Sequence, residues 1–241
     1  MCTVSLIPLG DSDFVLTSNR DEAPERETLD PNFYTEKGVR LFYPKDKMAG
    51  GTWIGLSDKN RLICLLNGGF TQHSRKDNYR LSRGVVVKDL LTSNNVFKTI
   101  EDYNLNNIEP FTIVLVDWSE NLNFYELVWD GSKKHFKELP LEPKIWSSST
   151  LYNKQMKDSR LEWFEDYKAN NELNSKSILN FHKTAGKENK DYGVIMDRVF
   201  VKTTSITQIE KHHLNLEMDF FNLQKSTISK SNFSLSEPIN D

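Results

Sequence analysis

Cys2 follows the initiator methionine directly, and a compact polar run, Asn19-Arg20-Asp21-Glu22, lies one hairpin's length further on. No other feature constrains the chain as much. A methionine that precedes a residue as small as cysteine is normally excised, so the mature chain is expected to start at Cys2. A thiol and an α-amino group then sit on one residue, a nucleophile that carries its own base and has no need of a separate histidine. The ordinary pKa values, about 8.5 for the thiol and about 7.7–8.0 for the amine, put both near neutrality. Residues 3–7 and 14–17 read as strands joined across Leu9-Gly10-Asp11-Ser12-Asp13, a connection rich in turn formers. Antiparallel pairing returns Asn19-Arg20-Asp21 to the end where the chain starts. There Arg20 is expected to favour the Cys2 thiolate, and Asp21 to orient the α-amine.

The composition narrows what such a nucleophile serves. The chain has 241 residues and a net charge of −3, with lysine and arginine dispersed among the acids, so it has no electrostatic footprint for nucleic acid. Its first residues lack a basic, apolar leader, and no later stretch has the length of a spanning helix, which predicts a soluble, cytoplasmic, non-membrane-spanning protein. With no linker or low-complexity stretch, residues 1–241 read as one domain, with 225–241 as a frayed tail. Two cysteines make neither a disulfide framework nor a zinc site, and Cys64 reads as a buried strand residue. The five histidines, His73, His135, His182, His212 and His213, read as surface or packing residues. His212 and His213 are expected on opposite faces of a strand, which argues against a shared metal, and no cofactor is predicted.

Strand and helix patterns alternate in blocks. Residues 52–56 and 61–66, then 111–118 and 123–129, form further strand pairs, and 192–201, 203–210 and 214–221 a terminal antiparallel set. Helical spacing covers 84–91, 96–103, 155–170 and 175–184. Strand groups on either side of helical segments predict an α+β fold: two antiparallel sheets packed face to face with helices outside, a four-layer αββα sandwich.

Two further segments carry chemistry. Ala49-Gly50-Gly51-Thr52-Trp53-Ile54-Gly55 places consecutive glycines before a strand, where a ligand can approach the main chain, and Trp53 is a candidate pocket residue. Asn67-Gly68-Gly69 ends the next strand with an amide able to donate to an oxyanion, a contribution of roughly 2.7–4 kcal/mol per donor where it operates.

Together with Ser82-Arg83-Gly84, these segments resemble the NRDE family, that of transport and Golgi organisation protein 2. The resemblance covers the first ninety or so residues. The family is in turn similar to N-terminal-nucleophile hydrolases of the bile salt hydrolase and penicillin V acylase type, whose αββα sandwich matches the layers read above. The resemblance implies Cys2 as nucleophile, Arg20 and Asp21 as its neighbours, and Asn67 as oxyanion or substrate contact, with Trp53 and Gly68 beside the substrate. Those hydrolases use a further asparagine and a late arginine. Here Trp146-Ser147-Ser148-Ser149-Thr150 stands where the asparagine is sought, with Asn153 close by, and Lys202 stands for the arginine. Lysine supplies charge without the planar fork. The implied activity is hydrolysis of a linear, non-peptide amide of a small acylated amine through a thioester. The competing expectation is a non-catalytic relative that binds or carries haem, an acyl thioester or a lipid.

Overall fold

The computed structural model describes residues 2–234, with the main chain but not the side chains of Cys2 and Ser234. The opening hairpin forms as read: β1 (Cys2–Leu9) and β2 (Asp13–Glu22) are joined by three residues, with Gly10 at φ +78°. In its register Thr3 faces Asn19, and Cys2 faces Arg20. The remaining elements in chain order are β3 (Thr28–Glu36), β4 (Val39–Asp46), β5 (Ile54–Ser57), β6 (Arg61–Asn67), α1 (Arg83–Thr92), α2 (Val96–Asp102), β7 (Phe111–Asp117), β8 (Asn123–Trp129), β9 (Lys134–Leu139), β10 (Lys144–Ser147), α3 (Lys154–Asn170), α4 (Ser175–Thr184), β11 (Lys202–His212), β12 (Asn215–Asn222) and β13 (Thr227–Ser234).

The strands form two antiparallel sheets. One runs β10-β1-β2-β11-β12-β13 and the other β3-β4-β5-β6-β7-β8-β9. Side chains alternate across each strand, so each sheet has one face for the other sheet and one for helices. Val4, Leu6, Phe14 and Leu16 meet Leu56, Leu62, Cys64 and Val116 in the core between the sheets. Val86, Val87 and Leu90 of α1 pack on Ile63 and Leu115 outside the second sheet, and Phe164 of α3 with Ile178 and Phe181 of α4 pack on Ile7 and Val15 outside the first. The result is the expected αββα sandwich. Burying a Val, Leu, Ile or Phe side chain contributes about 1.5–3 kcal/mol, so all three interfaces hold the site's strands in place.

The structure corrects three expectations. Four of the five unpredicted strands, β3, β9, β10 and β13, are the edges of the two sheets. Edge strands bury little, and here they carry polar residues such as Lys134, His135 and Lys137, so no apolar alternation marks them. β3 also contains Pro31, tolerated at an edge, with a register shift between Leu29 and Asn32. β13 replaces part of the expected frayed tail by pairing with β12 along its length, while residues 235–241 lie outside the described residues. The predicted strand at 192–201 is a series of turns instead, because its carbonyls bond side chains: Tyr192 and Gly193 accept from Arg160, and Val194 accepts from Asn19.

Candidate active site

Strand alternation divides Asn19-Arg20-Asp21-Glu22 between the two faces of its sheet. Arg20 and Glu22 point between the sheets, into a cavity of about 410 Å³ also lined by Asp46, Trp53, Asn67 and Arg83. Arg20 is 3% exposed. Its Nη2 lies 2.8 Å from Asp46 Oδ2 and 3.7 Å from Glu22 Oε2, and its guanidinium stacks 4.5 Å from the Trp53 ring centroid. Asp46 also binds Arg26 at 2.7 Å, and it accepts the main-chain N–H groups of Met48 and Ala49. One carboxylate thus links Arg20 to the glycine-bearing loop before Trp53. Burial disfavours ionisation of Glu22, yet the Ala23 N–H and the Arg20 and Arg26 charges hold its carboxyl below the ordinary value.

Asn19 and Asp21 face the helices. Asp21 is fully buried, with Oδ2 accepting from the Tyr152 hydroxyl at 2.6 Å and Oδ1 from Thr203 Oγ1 at 2.7 Å. Burial raises its carboxyl above the ordinary range, opposed by the Arg160 charge and by the two hydroxyl donors. Asn19 Nδ2 donates to the carbonyls of His182 and Val194, and its Oδ1 lies 2.6 Å from His182 Nδ1. His182 is closed on its other side by Ser5 Oγ, 2.7 Å from Nε2, and burial lowers its pKa to about 3. It is therefore a neutral packing histidine, the role expected for it.

The glycine segments meet in space. A Cβ on Gly51 would lie 3.2 Å from Gly84 Cα, and one on Gly84 would lie 3.1 Å from Thr52 N. The main chains at the start of α1 and before Trp53 approach only because neither residue has a side chain. This contact brings Ser82-Arg83-Gly84 to the cavity, where Arg83 pairs with Glu109 at 3.0 Å.

The sequence candidates separate accordingly. Arg20, Trp53 and Asn67 share the cavity, and the main chain of Cys2 lies directly across from Arg20. Asp21 is adjacent in sequence but on the opposite face. Gly68 adopts φ +88° behind Asn67, with its N–H and C=O bonded to Pro110 and Thr112. Asn153 is an exposed N-cap of α3, accepting from the Met156 N–H at 3.0 Å. Lys202 pairs with Asp197 at 3.0 Å, both half-exposed, away from the cavity lining. Ser148, where an asparagine was sought, donates instead to the Asn67 carbonyl at 2.7 Å. The removal of Met1 and the position of the Cys2 thiol lie outside the described residues.

Two residues with large roles carried no sequence signal. Arg160, fully buried, donates from Nε to Tyr192 O at 2.9 Å, from Nη2 to Gly193 O at 2.8 Å, and from Nη1 to Thr3 Oγ1. It stacks 3.6 Å from the Tyr152 ring centroid. Lys157, on the same helix, reaches Ser149. In an amphipathic pattern both read as solvent-facing charge. The structure also revises the reading of His212 and His213. His213 turns into the left-handed region at φ 54°, their rings approach to 4.4 Å, and the Asp13 carboxylate lies in the same cluster. Asp13 Oδ1 is already bonded to Lys211 Nζ and to the His213 N–H.

Among the described residues, no helix is long and apolar enough to cross a membrane. No curated protein matches the chain in sequence. In fold it is similar to an N-acylethanolamine-hydrolyzing acid amidase orthologue from Caenorhabditis elegans, with a TM-score of 0.60 at 11% identity over 86% of this chain and 92% of that one. It is also similar to penicillin V acylase from Agrobacterium tumefaciens, with a TM-score of 0.56 at 10% identity over 98% and 87%. These likenesses establish the fold, a two-sheet sandwich flanked by helices. Residues 1–213 match the Transport and Golgi organisation 2 family, and the chain belongs to that family.

Proposed function

We propose that this protein is an N-terminal cysteine amidohydrolase that cleaves a linear, non-peptide C–N bond of a small acylated amine. One observation carries the reading: the strand register sets Cys2 opposite Arg20, whose guanidinium forms part of the wall of a cavity large enough for a small substrate. A fixed cation beside a thiol favours thiolate. In the proposed reaction, with Met1 removed, the Cys2 thiolate attacks the amide carbonyl and Asn67 donates to the developing oxyanion. The C–N bond breaks as the α-ammonium group protonates the leaving amine, and water then hydrolyses the thioester to release the acid. Trp53 lines the acyl or amine side of the cavity, and Gly68 supports the Asn67 turn. The solved relatives in fold are named as an amidase and an acylase, which agrees with this class of reaction.

A second reading, a non-catalytic carrier of an acyl thioester, lipid or haem, is favoured by the positions of Lys202 and Asn153. Both are occupied at the surface, so neither completes a hydrolase site. Incubation with a panel of acylated amines, in parallel with the Cys2→Ala variant, separates the two. Amine release by the wild type alone is expected, with a thioester on Cys2 detected by intact mass. Retention of Met1 in the native protein, or equal release by both proteins, sinks the enzyme reading.

A further inference from the structure

The turn that carries Asn67 is a partition. On one side lies the 410 Å³ cavity with Arg20 and Trp53. On the other lies a second cavity of about 270 Å³, lined by Gly69, Phe70, Ser148, Ser149 and Lys157. Hydroxyls and one ammonium from the second side hold the turn's carbonyls. Ser148 Oγ donates to Asn67 O at 2.7 Å, Thr112 Oγ1 to Gly68 O at 3.1 Å, and Ser149 Oγ to Gly69 O, with Phe70 O at 3.2 Å. Ser149 Oγ in turn accepts from Lys157 Nζ at 2.6 Å, and the same ammonium lies 3.5 Å from Phe70 O. Shape reinforces the bonding. Gly68 is at φ +88°, and a Cβ there would meet Ser149 Cβ and Thr150 Cγ2 at 3.1 Å. The turn is thus pressed against the serine run, and its geometry is set by what that run is bonded to.

We propose that Lys157 and Ser149 are positioning residues for the oxyanion-stabilising turn. The Lys157 ammonium, through Ser149, fixes the turn so that the Asn67 amide sits where negative charge develops. The inference rests on the proposed acyl transfer at Cys2. It accounts for a lysine that has no carboxylate partner among the described residues and sits half-buried beside main-chain carbonyls. A donor held in place before reaction contributes most to an oxyanion, and misplacement by about 1 Å costs on the order of 100-fold. Burial lowers the Lys157 pKa from its ordinary value. The charged groups around it are engaged elsewhere. Glu126, on β8 and lining the same cavity, pairs with Lys137 at 2.9 Å and with Lys144 of β10 at 3.6 Å, and Asp158 on α3 pairs with Lys154 at 2.6 Å. Loss of the Lys157 proton removes the charge that strengthens this hydrogen bond and loosens the hold on Ser149.

The test compares two reactions of the same thiol in the full-length protein. Acylation by p-nitrophenyl butyrate forms the S–C bond, breaks the ester C–O bond and releases p-nitrophenolate through an oxyanion. Alkylation by iodoacetamide proceeds by direct displacement and needs no oxyanion donor. Lys157→Met is expected to slow Cys2 acylation roughly 10- to 100-fold and leave alkylation unchanged, and Lys157→Arg to restore most of the acylation. In the wild type, the ratio of acylation to alkylation should fall as pH rises through the lowered lysine pKa. The ratio should stay level in Lys157→Arg, because arginine keeps its proton. Equal slowing of both reactions would reduce Lys157 to a general structural role and overturn the inference, as would an unchanged ratio. Normal alkylation with no thioester in the wild type would overturn the proposed function and this inference with it. A thioester that forms in the wild type at the same rate as in Lys157→Met would overturn the inference alone.

Discussion

Arg20 and Arg160 are both buried arginines that serve the same strand end, one from each side of the sheet. Arg20 meets carboxylates, Asp46 and Glu22, at the wall of a cavity. Arg160 makes no carboxylate pair at ion-pair distance among the described residues. Its donors go to two carbonyls of the 192–193 turn and to the hydroxyls of Thr3 on β1 and Ser147 on β10, and its charge reaches Asp21 only through space. A cation spread over the carbonyls of one segment and the hydroxyls of two others holds those segments in register. A cation paired with carboxylates at a cavity wall sets its charge beside the space a ligand would enter. The environment, rather than the residue type or the depth of burial, separates a structural arginine from a site arginine.

Removing Arg160 gives the largest effect by this comparison. Arg160→Met should destabilise the fold by on the order of 3–5 kcal/mol, since it leaves the Tyr192 and Gly193 carbonyls without this donor and removes the main charge that opposes the burial of Asp21. Denaturant unfolding measures it, and a loss under about 1 kcal/mol would show that Arg160 is not the staple described. Arg20→Met should cost less, about 1–3 kcal/mol, because Asp46 and Glu22 lose one buried cation but keep Arg26. It should also slow Cys2 alkylation several-fold at neutral pH, whereas an unchanged alkylation rate would detach Arg20 from the thiol.

His182 tests the helix face by pH. Its folded pKa of about 3 lies below the ordinary 6.5, so the unfolded chain takes up the proton first as pH falls. This contribution to stability is complete above pH 6.5 and is lost progressively towards pH 3, at up to about 1.36 kcal/mol per pH unit, or about 2 kcal/mol by pH 5. His182→Gln should flatten that part of the stability profile, and an identical slope in both proteins would refute the assignment. The smallest effect is expected at Lys202, whose partner Asp197 is also half-exposed. Lys202→Ala should change stability by less than about 0.5 kcal/mol and leave Cys2 alkylation unaltered. A several-fold change in alkylation would return Lys202 to the site.

The core of the fold was legible where burial is strong. The hairpin from Cys2 to Glu22, the central strands at 54–67 and 111–129, and all four helices follow from apolar period and turn residues. The sheet edges were hidden because half-exposed strands carry no apolar alternation, although β4, an interior strand, was missed as well. The 192–201 segment misled for a different reason. Val194 and Met196 are buried while Val199 and Phe200 are exposed, side chains from α3 and β2 take its carbonyls, and local sequence does not show a bond made from more than thirty residues away.

The candidate site divides along the same line. The chain's order alone determined that Cys2 meets Arg20, because hairpin register depends only on the turn and on the alternation of neighbouring residues. It also brought Trp53 and Asn67 into view through their glycine-rich surroundings. Tertiary structure decided which face each motif residue serves: Arg20 and Glu22 the cavity, Asn19 and Asp21 the helices. It decided too that Lys202 and Asn153 are spent at the surface, while Arg160, His182 and Lys157 lie behind the strands as supports. Strand pairing is a short-range property, whereas burial of a charge, and hence its pKa and its partners, depends on segments that meet only when the layers close.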